Sequence, residues 1–147
     1  MLNQLGDVFA SFHKHDVKYL VIGGIAAVLH GVPRATFDLD ILIEATEDNA
    51  QRLLEAMLEA RLGTAALIDA QGVLAQEITI FQDRVRIDVQ TATPGIEFDT
   101  AWQRKEVMEY QRHIFYVLSR QDLIASKRAA GRTVDLEDVR LLELSDT

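Results

Sequence analysis

The chain contains no cysteine. Disulfides and thiolate metal sites are therefore excluded, and the fold must stand on its apolar core alone. No apolar run approaches the roughly 18–20 residues that a membrane span needs. The segment from Met1 to Phe12 lacks the charged start and continuous apolar stretch of a signal peptide, so the chain reads as soluble, unexported and cytoplasmic. Positive charge is also short: 15 Lys and Arg stand against 23 Asp and Glu, a formal net charge of −8. That balance counts against a protein that wraps nucleic acid, because phosphate binding needs clustered cations. It leaves room for a local basic patch. It also suits a site built from carboxylates, which needs a cation before it can accept a phosphate.

What is present is ordinary globular material. At 147 residues, 48% apolar and 26% charged, the length fits one domain able to bury a sizeable core. No repeat, low-complexity tract or long linker divides residues 1–147.

Hydrophobic spacing predicts the elements. Leu2, Leu5, Val8, Phe9 and Phe12 recur at helical spacing. Lys18 to Ile22 is a short strand closed by Gly23-Gly24. Ile25 to His30 is a short helix ended by Gly31 and Pro33. Asp38 to Glu44 is the second strand. Thr46 then caps a helix with an acidic first turn and an apolar stripe of Ala50, Leu53, Leu54, Met57 and Leu58, ended by Gly63. Gln76 to Phe81 and Arg84 to Gln90 form a hairpin, and Val107 to Tyr110 and Ile114 to Leu118 a further pair of strands. Thr93-Pro94-Gly95 is a break, and Ala101 to Arg104 is ambiguous. Ser119 with Asp122 resembles a capping box, opening a helix that stops near Gly131. Asp135 caps a last helix carrying Leu136, Val139, Leu142 and Leu144. This mixture makes an α+β (mixed α/β) domain: a small mixed β-sheet flanked by helices, with residues 119–147 as a C-terminal helical segment.

The chemistry is concentrated in two strands. Side chains alternate across a strand, so Asp38 and Asp40 share one face while Leu39, Ile41 and Ile43 share the other, buried one. Asp is depleted in strands. Two on one face fit either a solvated strand or an ion site, since Mg²⁺ takes one or two carboxylates plus substrate phosphates. Asp88 lies in the alternating run from Arg84 to Val89, with Arg84 and Arg86 on its face. If that strand lies beside the first, three carboxylates converge, and their mutual repulsion should raise the pKa of at least one. Gly23-Gly24 places bare backbone N–H groups at a helix start, a natural seat for phosphate.

Gly-Gly, 13 residues, Asp-x-Asp in an apolar strand, then a third Asp in a later strand together resemble the nucleotidyltransferase superfamily of the DNA polymerase β type. Residues 19–43, YLVIGGIAAVLHGVPRATFDLDILI, look like the small bacterial members related to abortive-infection and toxin–antitoxin nucleotidyltransferases. Residues 122–139, DLIASKRAAGRTVDLEDV, resemble a segment those proteins also carry. The resemblance covers about residues 17–44, 84–90 and 119–144 and implies the nucleotidyltransferase fold. By position it implies that Gly23 and Gly24 hold a nucleoside triphosphate. Asp38 and Asp40 bind Mg²⁺ or Mn²⁺, and Asp88 completes the metal site and helps activate the attacking hydroxyl. Arg34 and Thr36, which recur in this subgroup, and Lys127 join the nucleotide-binding residues. Many superfamily members have Ser where Gly24 stands.

The implied reaction moves a nucleoside monophosphate to a hydroxyl on a protein, an RNA end or a small molecule. A cognate toxin or antitoxin is the implied partner, and the charge does not point to RNA. The alternative is a non-catalytic nucleotide- or partner-binding regulator. A metal-dependent glycosyltransferase also uses Asp-x-Asp, but the Gly-Gly spacing and third Asp do not belong to that pattern. Arg34 could equally be a solvated loop arginine, and the alternative for Lys127 is a surface lysine. If Lys127 reaches the phosphates, its removal should weaken binding with little effect on folding. Arg132, Asp135 and Asp138 read as caps and staples of the last two helices. His13 and His15, two apart on a helix, do not face one ligand. Trp102, Tyr110 and Tyr116 could stack on a base but read better as packing residues.

Overall fold

The structure, a computed structural model, describes residues 2–144. Among them, one mixed sheet holds six strands: β1 (Tyr19–Ile22), β2 (Leu39–Ile43), β3 (Ile78–Gln82), β4 (Arg86–Gln90), β5 (Glu106–Tyr110) and β6 (His113–Val117), in the order β3-β4-β2-β1-β6-β5. The helices are α1 (Gly6–Lys14), α2 (Gly23–Leu29), α3 (Glu47–Glu59), α4 (Ala70–Leu74), α5 (Phe98–Gln103), α6 (Arg120–Ala130) and α7 (Thr133–Leu144). The α+β class and the small mixed sheet expected from the pattern are what the chain forms.

Alternation decides which face of the sheet is buried. β1 and β2 pair antiparallel with Tyr19 opposite Ile43 and Val21 opposite Ile41, and Val21 aligns with Val117 of β6. These side chains form one apolar face, and α1 lies on it. Phe9 stacks on Phe115 with ring centroids 4.6 Å apart, and Phe12 meets Tyr19 edge-on at 5.0 Å. Leu53 and Met57 of α3 are fully buried in the same core. Each such side chain contributes roughly 1.5–3 kcal/mol on leaving water.

Asn49, buried in the first turn of α3, fastens this helix to the sheet. Its side chain accepts from Lys18 N at 2.8 Å and donates to Lys18 O and Glu44 O, both at 2.9 Å. It thereby satisfies backbone groups where β1 begins and β2 ends. Asn49→Ala leaves them unpartnered and is expected to cost about 2–4 kcal/mol in urea unfolding. A loss under about 0.5 kcal/mol would show that water replaces the amide without penalty.

Several boundaries differ from the sequence reading. A 3-10 turn at Leu2–Gln4 precedes α1 instead of extending it. Asp38 lies one residue before β2. Helix α3 ends before Gly63: Arg61, not a glycine, takes the left-handed conformation at φ 65, and Leu58 is exposed. The stretch without a sequence signal forms a 3-10 turn at Gly63–Leu67 and α4, whose Asp69 side chain accepts from Gly72 N. The ambiguous Ala101 region lies in α5. Ser119 caps α6 through Asp122 N, and Gly131 ends it at φ 70, a backbone position that a Cβ disfavours. Helix α7 begins at Thr133, so Asp135 sits inside its first turn instead of before it. Only Val139 and Leu142 of its expected stripe are buried, while Leu136 and Leu144 are exposed.

Candidate active site

Strand register builds the site. Ile22 at the end of β1 lies opposite Asp40, and β2 runs parallel to β4 with Asp40 directly beside Asp88. Neighbouring strands are about 4.8 Å apart, so the two carboxylates share one face at near-contact distance. Asp38, two residues before Asp40, adds a third. Gly23 follows β1 at φ 67, and a Cβ there would overlap the Asp40 carboxylate. The glycine is therefore required twice, by its backbone angle and by the approach of Asp40.

These groups line a cleft of about 500 Å³ together with Lys127, Arg132 and Asp135 from the C-terminal helices and Ile78, Gln90 and Pro94 from the opposite side. The cleft thus has an anionic floor, a cationic wall and an apolar wall. The Asp40 carboxyl is pushed up to about 7, first by burial, then by the Asp88 charge and a hydrogen bond with Asp88, then by Asp38. Without a cation, Asp40 therefore favours its protonated form beside Asp88.

Asp38, Asp40 and Asp88 occupy one cleft, but they do not converge on one point. Among the described residues, no group of three His, Asp or Glu side chains forms a ready metal shell. The reason is Arg86. Its guanidinium binds both Asp88 oxygens, Nε to Oδ1 at 2.9 Å and Nη2 to Oδ2 at 3.2 Å, and lies 3.8 Å from Asp38. Residues two apart on a strand share a face, so Arg86 takes the position of a cation on Asp88.

Lys127 is neither a surface lysine nor free. It is 7% exposed. Its ammonium lies 2.8 Å from Asp138 and 3.8 Å from Asp135. Asp138 also receives Arg34 Nη1 at 3.1 Å. Asp135 receives the Arg132 guanidinium through both oxygens, at 2.7 and 3.1 Å. Burial alone would raise the Asp135 carboxyl; Arg132 and Lys127 together hold it below the usual carboxylate range. Its place between two buried carboxylates argues against the expectation that removing Lys127 would spare folding.

Gly24, Arg34 and Thr36 form a cluster of their own behind Gly23. A Cβ at Gly24 would come within 2.9 Å of Thr36 Oγ1 and 3.1 Å of Arg34 Nη2. The volume that a serine would need is already filled. Arg34 is turned toward Asp138 in α7, away from the carboxylates.

Sequence reasoning missed Arg86 as the partner of Asp88, and Arg132 and Asp135 as cleft residues. A signal existed for the latter: Arg132, Asp135 and Asp138 are spaced by three, one face of a helix. It was absorbed by a capping reading that is partly right, since Asp135 also accepts from Arg132 N at 3.3 Å. The remaining candidates lie outside this cleft. His30 meets Leu118 O at 2.8 Å and His15 meets Glu59 at 3.0 Å. Trp102 and Tyr116 pack edge to face at 5.2 Å.

A family described as nucleotidyltransferase of unknown function (DUF6036) matches residues 3–147, and the chain belongs to it. No curated protein matches. A solved structure from Thermotoga maritima, provisionally described as a nucleotidyltransferase, is similar over 99% of this chain and 93% of its own. It has a TM-score of 0.59 and 17% sequence identity, so it shows the fold.

Proposed function

We propose that this member of the nucleotidyltransferase family transfers a nucleoside monophosphate from a nucleoside triphosphate to a hydroxyl acceptor, with Mg²⁺ or Mn²⁺. The observation that carries it is the parallel register that sets Asp88 beside Asp40, with Gly23 against Asp40 and cations across the cleft. The donor set fits a divalent ion. It consists of oxygen ligands alone, and Asp40 carries a raised pKa that a bound cation would lower. Asp38 and Asp40 would hold the ion, joined by Asp88 once Arg86 releases it. When bound, the ion supplies charge neutralisation and Lewis acidity at phosphate oxygens.

The chain's own groups have separable tasks. Gly23 leaves backbone open beside Asp40, where a side chain would block a phosphate. Lys127 and Arg132 set positive charge on the phosphate side. Asp88, once free of Arg86, would take the proton of the acceptor hydroxyl, whose oxygen bonds to the α-phosphorus as the bond to the bridging oxygen breaks and pyrophosphate leaves.

The acceptor and any toxin–antitoxin partner belong to this proposal. The net charge of −8 favours a protein or small-molecule acceptor over RNA. A cytoplasmic setting is proposed on the same footing; among the described residues no helix is long and apolar enough to cross a membrane. Triphosphates labelled at the α-phosphate, with Mn²⁺ and separate pools of protein, RNA and small metabolites, test the reaction. Label should reach one pool from α-labelled but not γ-labelled nucleotide. Absence of transfer with every nucleotide and pool would remove the catalytic reading.

The Arg86 clamp on Asp88 favours a second reading, a regulator that binds nucleotide without turnover. Binding of Mg²⁺-triphosphate with no transfer would select it. Either reading expects thermal stabilisation by Mg²⁺ plus a non-hydrolysable triphosphate, about 2.7 kcal/mol at a hundredfold excess over Kd. Asp38→Asn should lose most of that shift. An unchanged melting temperature in the unsubstituted protein would count against both.

A further inference from the structure

A second pocket lies at the other end of β1, beside Lys18 just before the strand and not at Gly23 just after it. It encloses about 380 Å³, within the usual range of small-molecule sites. Phe12, Val17, Trp102 and Tyr116 form its apolar walls, Arg52 and Lys18 enter from the sides, and His13 and Asp16 stand at the exposed rim.

Arg52 is the unusual member. Its Nε is buried without a hydrogen-bond partner, and its Nη2 makes one long contact, 3.4 Å, to an Asn49 oxygen already engaged by Lys18 N. Asp48 and Glu55 lie one turn away on the same helix, at ion-pair spacing. Yet Arg52 has no ion pair among the described residues. A buried guanidinium N–H without an acceptor is costly and calls for an anion or an ordered water. A second cation is close by. The Lys105 ammonium lies 4.0 Å from the Trp102 ring centre and 5.5 Å from that of Tyr116, and no carboxylate pairs with it among the described residues. Lys18 is balanced by Glu44 at 3.5 Å, and Asp16 sets one negative charge at the rim.

We propose that this pocket is a binding site for a small aromatic anion: a planar apolar body carrying one phosphate or carboxylate. The aromatic walls take the body, the Arg52 guanidinium takes an anionic oxygen at the inner end, and Lys105 supplements the charge. Asp16 at the mouth disfavours a ligand with a second charge facing solvent. The site uses none of the carboxylates of the cleft and does not depend on the transfer reaction.

Trp102 is the single tryptophan of the chain, so its fluorescence reports on this pocket alone. Phenyl phosphate titrated into the full chain should change that emission saturably, with a dissociation constant of about 1 mM or tighter. Phenol should bind at least about tenfold more weakly, because it lacks the charge-assisted bond. Arg52→Gln should weaken phenyl phosphate by about tenfold or more at an unchanged melting temperature, and Lys105→Gln should weaken it by a smaller factor. Asp40→Asn should leave the affinity unaltered. The proposal is overturned by the absence of saturation, by equal binding of phenol, by Arg52→Gln binding as tightly as the unsubstituted chain, or by loss of binding in Asp40→Asn.

Discussion

Replacing Asp40 with asparagine is expected to lower nucleotidyl transfer by about 10³-fold or more, some 4 kcal/mol of transition-state stabilisation, and at the same time to make the metal-free protein more stable above neutral pH. Both effects come from one cause. Asp40 is set beside Asp88 and near Asp38, on the buried side of the cleft floor. Burial and its two neighbours push its carboxyl up to about 7, against an ordinary value of 3.8. A folded-state pKa above the unfolded one means the native state prefers the proton. Asp40 therefore costs no stability below about pH 4. The cost grows as pH rises toward 7 and is complete beyond it. Asparagine carries no charge and can donate a hydrogen bond to Asp88 as the protonated Asp40 carboxyl does. The gain should be absent near pH 4 and of order 1–3 kcal/mol at pH 8, reduced from the full linkage value because water still reaches part of the carboxyl. Melting curves at the two pH values, with chelator present, measure it. A less stable Asp40→Asn at pH 8 would mean that Asp40 is not electrostatically strained, and retained transfer would place the chemistry elsewhere.

Lys127→Ala is expected to destabilise the fold by about 3–5 kcal/mol, the usual cost of breaking a buried ion pair from one side. Asp138 and Asp135 are nearly inaccessible, with side chains 2% and 3% exposed. Lys127 is the cation between them, while Arg34 and Arg132 each serve one from the outside. Without the ammonium, Asp138 keeps only Arg34. The double variant Lys127→Met with Asp138→Asn removes both members and should be less destabilised than the sum of the two single changes, by about 1 kcal/mol or more. Triphosphate affinity, measured where Lys127→Ala remains folded, should also fall by roughly 1–3 kcal/mol. Urea curves identical to the unsubstituted protein would show that the buried ion pairs of Lys127 contribute no net stability. Helices α6 and α7 thus meet through ion pairs as well as through apolar side chains.

The alternation in residues 38–44 was enough to say that Asp38 and Asp40 share a face and that Leu39, Ile41 and Ile43 face the core, because side-chain direction in a strand is a local property with a period of two. The same period put Asp88 and Arg86 together on β4. Caps and stops that depend on a few neighbouring residues were equally legible at Thr46, Ser119 and Gly131. Turns that use no glycine were not: Arg61 ends α3, and Gln111 and Arg112 turn the β5–β6 hairpin, all with positive φ that their residue types rarely adopt. Helix α4 carries too short a pattern to announce itself.

Tertiary structure decided the rest, and always for the same reason. Asp40 stands beside Asp88, and not one residue out of register, because the packing of two apolar faces chose the pairing between strands far apart in the chain. Arg86 clamps Asp88, Lys127 is buried between two carboxylates, and Arg34 turns to Asp138, because each charge goes to the partner that desolvation leaves within reach. The sequence by itself determined which chemical groups are available and which face each one takes. Which group neutralises which is a sum over long-range contacts and local dielectric, and these exist only once the chain has folded.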